Sequence, residues 1–435
     1  MAINYTALEN QPRLLIEAAL KPLQGERFQP TGFADLGPAV YKLPDDSQHL
    51  LLESAQSVAN YLEKACWDDG QNDLIAPLKG LPYVKIDCGR FGTTTTLHEF
   101  HRLNSPYLWK GDDNDKASAF RNAFCGKLGI KVPSAKKGDK NSDEEGSSSV
   151  PGVLNRRKMT DAIFWFDPCS LIHGVFLEKL DGRMRVTRAL SGFIEAAKVR
   201  RAESGGVKVD HVLPSPKKAG LDAKGGFGNV PYPKTEFVAE KITAFFNLDL
   251  ALLRGYGLPE EGFKLMVAVS LLKIRRFLEL DLRLRAACDL EVVADETIKD
   301  GLRVTRPKAG FAIPSLKELE EECEALIKDC AKKKLFAEKP AESEFKLAPK
   351  DVTIELPSDS AAPVISPERN KEKLVTLSTA KGKRTLKIKA KLLESVEPDA
   401  LAAELFPDND KLQKLVADKC AGTDLDEAEP EDPAV

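Results

Sequence analysis

Residues 14–20, Leu14-Leu15-Ile16-Glu17-Ala18-Ala19-Leu20, run directly into Lys21-Pro22-Leu23-Gln24-Gly25-Glu26-Arg27-Phe28-Gln29-Pro30-Thr31-Gly32. Leu14, Ile16, Ala18 and Leu20 alternate with more varied neighbours, the period of a half-buried strand, and the Gly/Pro-punctuated continuation reads as a loop. A second extended pair, Val40–Leu43 and Leu50–Leu52, flanks the turn Pro44-Asp45-Asp46. Ser54 then stands where it can cap a helix whose apolar face is Val58, Leu62 and Ala65. Strand thus precedes helix from the first fifty residues onward.

Working outward, Tyr83–Ile86 reads as a strand, and Thr93–Thr96 as a helix start or a loop over a ligand. Ala162–Phe166 and Leu171–Leu177 are apolar and β-rich, and Phe237–Phe246 reads as one strand. Phe263, Val267, Leu271, Ile274 and Leu278 mark one face of a long helix. Leu282 and Leu284 alternate with Arg283 and Arg285, a half-buried strand, and Ser315 with Glu318 forms a capping box. Helices and strands are mixed, with long loops interrupting them. The pattern predicts an α+β fold, a single antiparallel sheet backed by helices, rather than a regular βαβ array.

Composition shifts divide the chain. A body spans residues 1–336, with a flexible insertion at 133–152 and a loose Gly/Pro-rich insertion at 204–233. Residues 337–372 read as a linker, and 373–435 as an extension containing a basic hairpin near Leu374–Leu393 and an acidic tail. From Asp408 to Val435, nine acids against three lysines give −6; the whole chain carries −3, so residues 1–407 carry +3. A mildly basic body with an acidic tail permits a polyanionic partner.

The 42% hydrophobic and 30% charged content excludes a wholly disordered chain, a collagen-like repeat and a disulfide-stapled miniprotein. No run of about 18 uncharged apolar residues is present, so no membrane span is expected. The first residues, MAINYTALENQPR, lack a signal-peptide pattern, and the expected location is cytoplasmic. Eight cysteines without a CxxC pair read as reduced, mostly buried thiols.

Chemistry-bearing motifs are few. His98 and His101 stand at i,i+3, whereas two metal ligands on one helical face need i,i+4, so no metal is expected there. The stretch Gly220–Gly228 lacks the Lys-Ser/Thr pair of a phosphate loop. Cys169 with His173 has no evident third member for a nucleophilic system. Nothing argues for an enzyme, and no cofactor is expected.

Basic residues near Gly, aromatic and small polar residues are more informative. They comprise Arg27 and Gln29; Arg90 and Thr94; His101, Arg102 and Asn104; Arg156, Arg157 and Lys158; Arg200 and Arg201; Arg275 and Arg276. Ser54, Gln56 and Asn60 line one side of the first helix. Such groups suit a single-stranded backbone, because amides and hydroxyls hold phosphates while aromatics meet bases. Capping and packing account for Ser54 equally well, and ion pairing for Arg275 and Arg276.

Six strings together carry a resemblance: LLIEAALKPLQGERFQPTGFADLGPAVY (14–41), LLLESAQSVANYLEKACWD (50–68), LHEFHRLNSPYLW (97–109), FDPCSLIHGVFLEK (166–179), AFFNLDLALLRGYGL (244–258) and LRLRAACDLEV (282–292). They resemble the CRISPR Cascade backbone subunit of the Cas-seven family, type I-G (formerly I-U) branch. The resemblance covers about residues 14–310 and leaves the segment after 340 unassigned. It implies a right-hand architecture, with an RRM-like (ferredoxin-like) palm sheet and inserted finger and thumb segments. It also implies a non-catalytic subunit whose copies stack head to tail on CRISPR RNA and support pairing with target DNA. The implied partners are the Cascade large subunit and a fused Cas-five/Cas-six subunit. Reading guide geometry rather than sequence is physically apt, since every spacer differs. Two rivals stay open: a related backbone with metal-dependent target RNase activity, and a general single-stranded RNA-binding module outside CRISPR.

Overall fold

The computed structural model describes residues 3–33, 36–87, 92–109, 119–130, 155–178, 180, 182, 184–212, 214, 225–279, 282–294, 301–336, 341–344, 352–365, 375–380 and 383–421. The predicted insertion at 133–152, Arg90 and the tail beyond Ala421 lie outside them. The described residues fall into two compact units, one drawn from 1–86, 94–109 and 119–343, the other from 87–93, 110–118 and 344–435.

The first unit is organised by the strand that opens the sequence. β1 (Leu14–Pro22) buries Leu14, Ile16, Ala18 and Leu20 and leaves the alternate residues half-buried, as the period of two requires. Around it lie β2 (Val40–Lys42), β3 (Gln48–Glu53), β6 (Leu190–Ala197), β9 (Lys241–Leu248), β10 (Leu282–Arg285), β11 (Cys288–Val292) and β12 (Leu302–Arg306). The strand order is β10-β11-β1-β9-β6-β3-β2, with β12 also on β1, and every pairing is antiparallel. The sheet curls into an antiparallel half-barrel.

Register keeps one face apolar. Ile16 stands opposite Phe246 and Ala18 opposite Ala244, while Gly192 and Ile194 meet the same two residues from β6. α1 (Ala55–Lys64) and α4 (Glu260–Glu279) pack with that face, with Tyr61 stacked 5.5 Å from Phe277 and Phe277 edge-on to Phe246 at 6.3 Å. α4 is buried nearly all round because α5 (Leu316–Lys332) lies against it through Leu319, Cys323, Leu326, Ile327 and Cys330. Full burial of each such large side chain contributes about 1.5–3 kcal/mol. The predicted caps hold: Ser54 accepts from Ser57 N at 3.2 Å, and Ser315 and Glu318 form the capping box.

Several expectations change. Ala162–Phe166 belongs to a helix, α2 (Arg156–Phe166), and α3 (Cys169–His173) follows it before β4 (Val175–Leu177) and β5 (Met184–Val186). Its aromatic and β-branched composition mimicked a strand, but Asn155 caps the helix and tertiary packing outweighs propensity. Thr93–Thr95 is a strand, not a helix start. The single strand expected over Phe237–Phe246 is two, β8 (Val230–Val238) and β9, with a reversal between them. The ends of the stretch 204–233 pair as β7 (Arg200–Lys208) with β8. Gly205, Gly206, Pro231 and Pro233 look like loop residues, yet in the outer part of this two-stranded ribbon both strands are edges, where Pro is tolerated, and the glycines admit Tyr232 at close range.

The second unit contains an antiparallel sheet of β13 (Val352–Leu356), β14 (Val375–Ala380) and β15 (Lys383–Ile388), with β15 in the middle. The basic hairpin is therefore present, while β13 forms within the predicted linker. α6 (Ala390–Ser395), α7 (Pro398–Leu405) and α8 (Asp410–Ala421) close a core of Ile354, Leu356, Leu386, Ile388, Leu401, Phe406 and Val416. The seven described cysteines are buried thiols. Among the described residues, no helix is long and apolar enough to cross a membrane.

Candidate nucleic-acid interface

A hollow of about 570 Å³ in the first unit is built where three local structures meet. α3 ends at Gly174, whose φ of +84° turns the chain into β4; a Cβ there would sit 2.9 Å from Val186 O. β4 and β5 pair with Phe176 opposite Arg185, and the Arg185 guanidinium lies 4.7 Å over the Phe176 ring. This hairpin forms one wall. The other is the turn 100–104, where Phe100 is 79% exposed and its ring lies 3.8 Å from that of His101, tilted by 39°. Arg188 bridges toward α1, donating to Ala55 O at 2.9 Å and Gln56 Oε1 at 2.7 Å. Gln56 in turn donates to Asn60 Oδ1 at 2.9 Å.

Arg102 lines the hollow but is held in the structure. It is 9% exposed, has a φ of +50° and clamps Glu63 with two bonds of 2.8 and 2.9 Å. Beneath it, His173 and Lys273 form a buried pair, Nζ to Nε2 at 2.8 Å, with Lys273 wholly inaccessible. Burial, and then the positive charges of Lys273, Arg102 and Arg188, hold His173 well below the usual imidazole range. Burial presses Lys273 toward neutrality, and the field of Glu63 helps it keep its proton. With the ammonium donating to Nε2, the imidazole proton belongs on Nδ1, a buried nitrogen with no hydrogen-bond partner among the described residues. The guanidiniums of Arg185 and Arg188 bring N–H donors to the lining, the charge of Arg102 lies beneath them, and Glu178 is the one acid there. Such a lining suits a group rich in acceptors, as phosphate is.

A second hollow of about 420 Å³ shares Arg185 and Val186 with the first and continues past Arg156, Arg157, Thr160 and Tyr256. Asn155 accepts from the amides of Arg157 and Lys158, which fixes the start of α2 there. The Arg157–Asp161 pair, about half-exposed on both sides, adds little stability. The two hollows make a track with exposed aromatics at one end and cations along it.

The sequence-predicted residues divide. His101, Arg102, Asn104, Arg156 and Arg157 line the track, and Gln56 and Asn60 touch it through Arg188. Lys158 is exposed beside them. Arg27 pairs with Glu236 at 3.2 Å near the root of the β7–β8 ribbon, where Arg200 and Arg201 are exposed. Gln29 is half-buried and accepts from Arg285 through its carbonyl; Ser54 is a cap; Thr94 donates to Glu99 at 3.2 Å. Arg275 and Arg276 correct the reading. Arg275 is buried and donates to Ile313 O and Pro314 O, both at 3.0 Å, while Arg276 holds Ala65 O and Glu320. Both tie α4 to its neighbours instead of facing solvent.

Sequence reasoning missed Phe100, Phe176, Arg185, Arg188 and the His173–Lys273 pair. A signal existed for two of them, the spaced arginines of Arg183-Met-Arg185-Val-Thr-Arg188. His98 is engaged locally, by Thr95 Oγ1 at 3.1 Å and edge-on to Trp67. Burial pushes the Cys169 thiol up to about 12, so it is no nucleophile at neutral pH. Among the described residues, no group of three or more His, Cys, Asp or Glu is placed to hold a metal ion.

Residues 14–201 match the family model described as CRISPR-associated protein GSU0053. A solved structure, "CRISPR RNA-guided surveillance complex, pre-nicking", is similar at 13% identity over 76% of this chain and 96% of that one; its TM-score of 0.29 is too low to support an argument. No curated protein matches the chain.

Proposed function

We propose that this chain is a non-catalytic CRISPR RNA-binding backbone subunit of the Cas-seven kind, type I-G branch. Copies polymerise head to tail along the guide spacer and support its pairing with target DNA. The observation that carries the reading is the donor-lined hollow flanked by Phe100, Phe176 and Arg185, all of it within the segment that the CRISPR-associated family model matches. Guide phosphates occupy the donors, and the exposed rings meet bases or sugars. The chain order β1–α1–β6–β9–α4–β11/β12, with β11/β12 next to β1, then β9, then β6, supports a ferredoxin-like palm. A heterologous interface between copies does not close on itself, so filament length is set by the RNA and by capping subunits. Those are the Cascade large subunit and the fused Cas-five/Cas-six subunit, and the compartment is the cytoplasm.

The test is guide-RNA affinity of the full chain across a salt series, paired with size-exclusion of protein co-expressed with a repeat–spacer array. With about five phosphates per protomer, the log–log slope is about −3.5, and Arg185→Gln reduces its magnitude by about 0.7. Arg185 is the chosen probe because it is exposed; truncating Arg102 would strand the Glu63 carboxylate and confound binding with stability. A flat salt response, or a slope unaltered by Arg185→Gln, overturns the assignment.

A further inference from the structure

The hollow whose cations suit phosphate also holds one group that repels it. Glu178 is the single acid in a lining that includes Arg102, Arg185 and Arg188. Taking that hollow as the guide site proposed above, we infer that the Glu178 carboxylate accepts a hydrogen bond from a ribose 2′-hydroxyl and so selects an RNA guide over DNA.

The β4–β5 hairpin fixes where the acid stands. Val175, Leu177, Met184 and Val186 are buried, which anchors the hairpin by one face. The other face turns Phe176 and Arg185 outward, opposite each other in the ladder. Two residues on from Phe176, Glu178 opens the turn that leads to β5, and its carbonyl accepts from Gly182 N at 2.9 Å. Leu177 and Leu180 on either side are buried, so the turn is pinned at its root. The Glu178 side chain itself is exposed, and its carboxylate has no partner among the described residues. An unpaired anion is thus held beside a ring and a guanidinium.

Elimination identifies what it meets. A carboxylate only accepts, so its partner on the ligand must be a donor. Phosphate oxygens are acceptors and carry the same sign of charge, which makes them unfavourable neighbours. Base edges do carry donors, but these differ from one base to the next. A surface that takes every spacer alike cannot depend on them. The 2′-hydroxyl is a donor repeated in every nucleotide of RNA and missing from DNA. Its bond to a carboxylate is charge-assisted, the stronger kind. A deoxy strand brings the phosphates to Glu178 without that compensating contact.

The experiment measures fluorescence anisotropy of the full chain with a strand of about six nucleotides, one protomer's share at about five phosphates each. The strand is used as RNA and as its 2′-fluoro counterpart, whose sugar keeps an acceptor and loses the donor. A hydrogen bond to a charged group contributes enough for wild type to bind RNA about tenfold or more tighter than the 2′-fluoro strand. Glu178→Ala reduces that ratio to about one, while binding the 2′-fluoro strand at least as tightly as wild type, which also reports that the variant is folded. Equal affinities of wild type for the two strands overturn the inference. So does a ratio that persists in Glu178→Ala, which would place the hydroxyl on another group. An equal change on both strands overturns it too, and is what pairing of Glu178 with a cation of a neighbouring copy would give. If Arg185→Gln still lowers the salt slope while both strands bind alike, the guide site stands and only the hydroxyl assignment falls. If neither strand binds, both fall.

Discussion

At the scale of residues, the His173–Lys273 pair has a consequence that titration can read. His173 is held neutral in the folded protein, first by burial and then by neighbouring positive charge, whereas an unfolded histidine titrates near 6.5. Below about pH 6.5 the unfolded chain therefore binds a proton that the folded chain refuses. Stability falls as pH drops through that value toward the depressed folded one, by up to about 1.4 kcal/mol per pH unit. Asp167, raised by burial, contributes with the opposite sign. Because Asp167 is common to both proteins, it cancels in a comparison with His173→Gln, which keeps an acceptor for Lys273. Urea unfolding between pH 5 and 7.5 should show a shallower acid loss for the variant; parallel curves would sink this account. The pair also marks where reading the sequence stopped short. Arg102, Arg275 and Arg276 were visible as basic residues, but their fates depend on Glu63, Ile313, Pro314 and Glu320, partners between 38 and 44 positions away. Charge is local in sequence, whereas burial is not.

At the scale of elements, periodicity was enough wherever one face met one core. β1, β3, α1, α4 and the α5 capping box were legible because their side chains alternate or recur with the period of the element. Elements whose composition argues for another structure were not. α2 and the ribbon strands carry the wrong local composition, and packing or a partner strand decides them. Gly192 shows how tightly the central layer is set. A Cβ there would lie 2.8 Å from Phe246 Cδ1, 2.9 Å from Phe245 O and 3.0 Å from Val58 Cγ1. Gly192→Ala should cost about 1–3 kcal/mol through overpacking between β6, β9 and α1. Gly255→Ala, where a Cβ meets nothing within 4 Å, serves as the control and should hold or gain stability. A lowered urea midpoint for the first and not the second checks the layer; equal midpoints would show that the helix can shift to make room.

At the scale of the whole molecule, the sequence disclosed the α+β class and the basic hairpin, and missed that this hairpin heads a unit with its own core. Apolar positions in 352–421 are spread over short elements separated by Pro and charge, so no window shows a strong period. The β7–β8 ribbon has a different implication. Among the described residues its one backbone partner outside the ribbon is Phe28, which bridges Phe237 at the root, and Val207, Val209, Phe227 and Tyr232 around its outer part are exposed. A two-stranded ribbon in water is marginally stable, so its outer amides are held closed by little more than their own ladder. Hydrogen–deuterium exchange should therefore find amides of Gly205–Lys208 and Val230–Tyr232 exchanging orders of magnitude faster than those of β1 and β9, through local opening. Protection equal to the core would refute this. Such a segment is the natural first cut for a protease in the isolated chain, and its resistance to cleavage becomes a direct gauge of whether anything has closed over it.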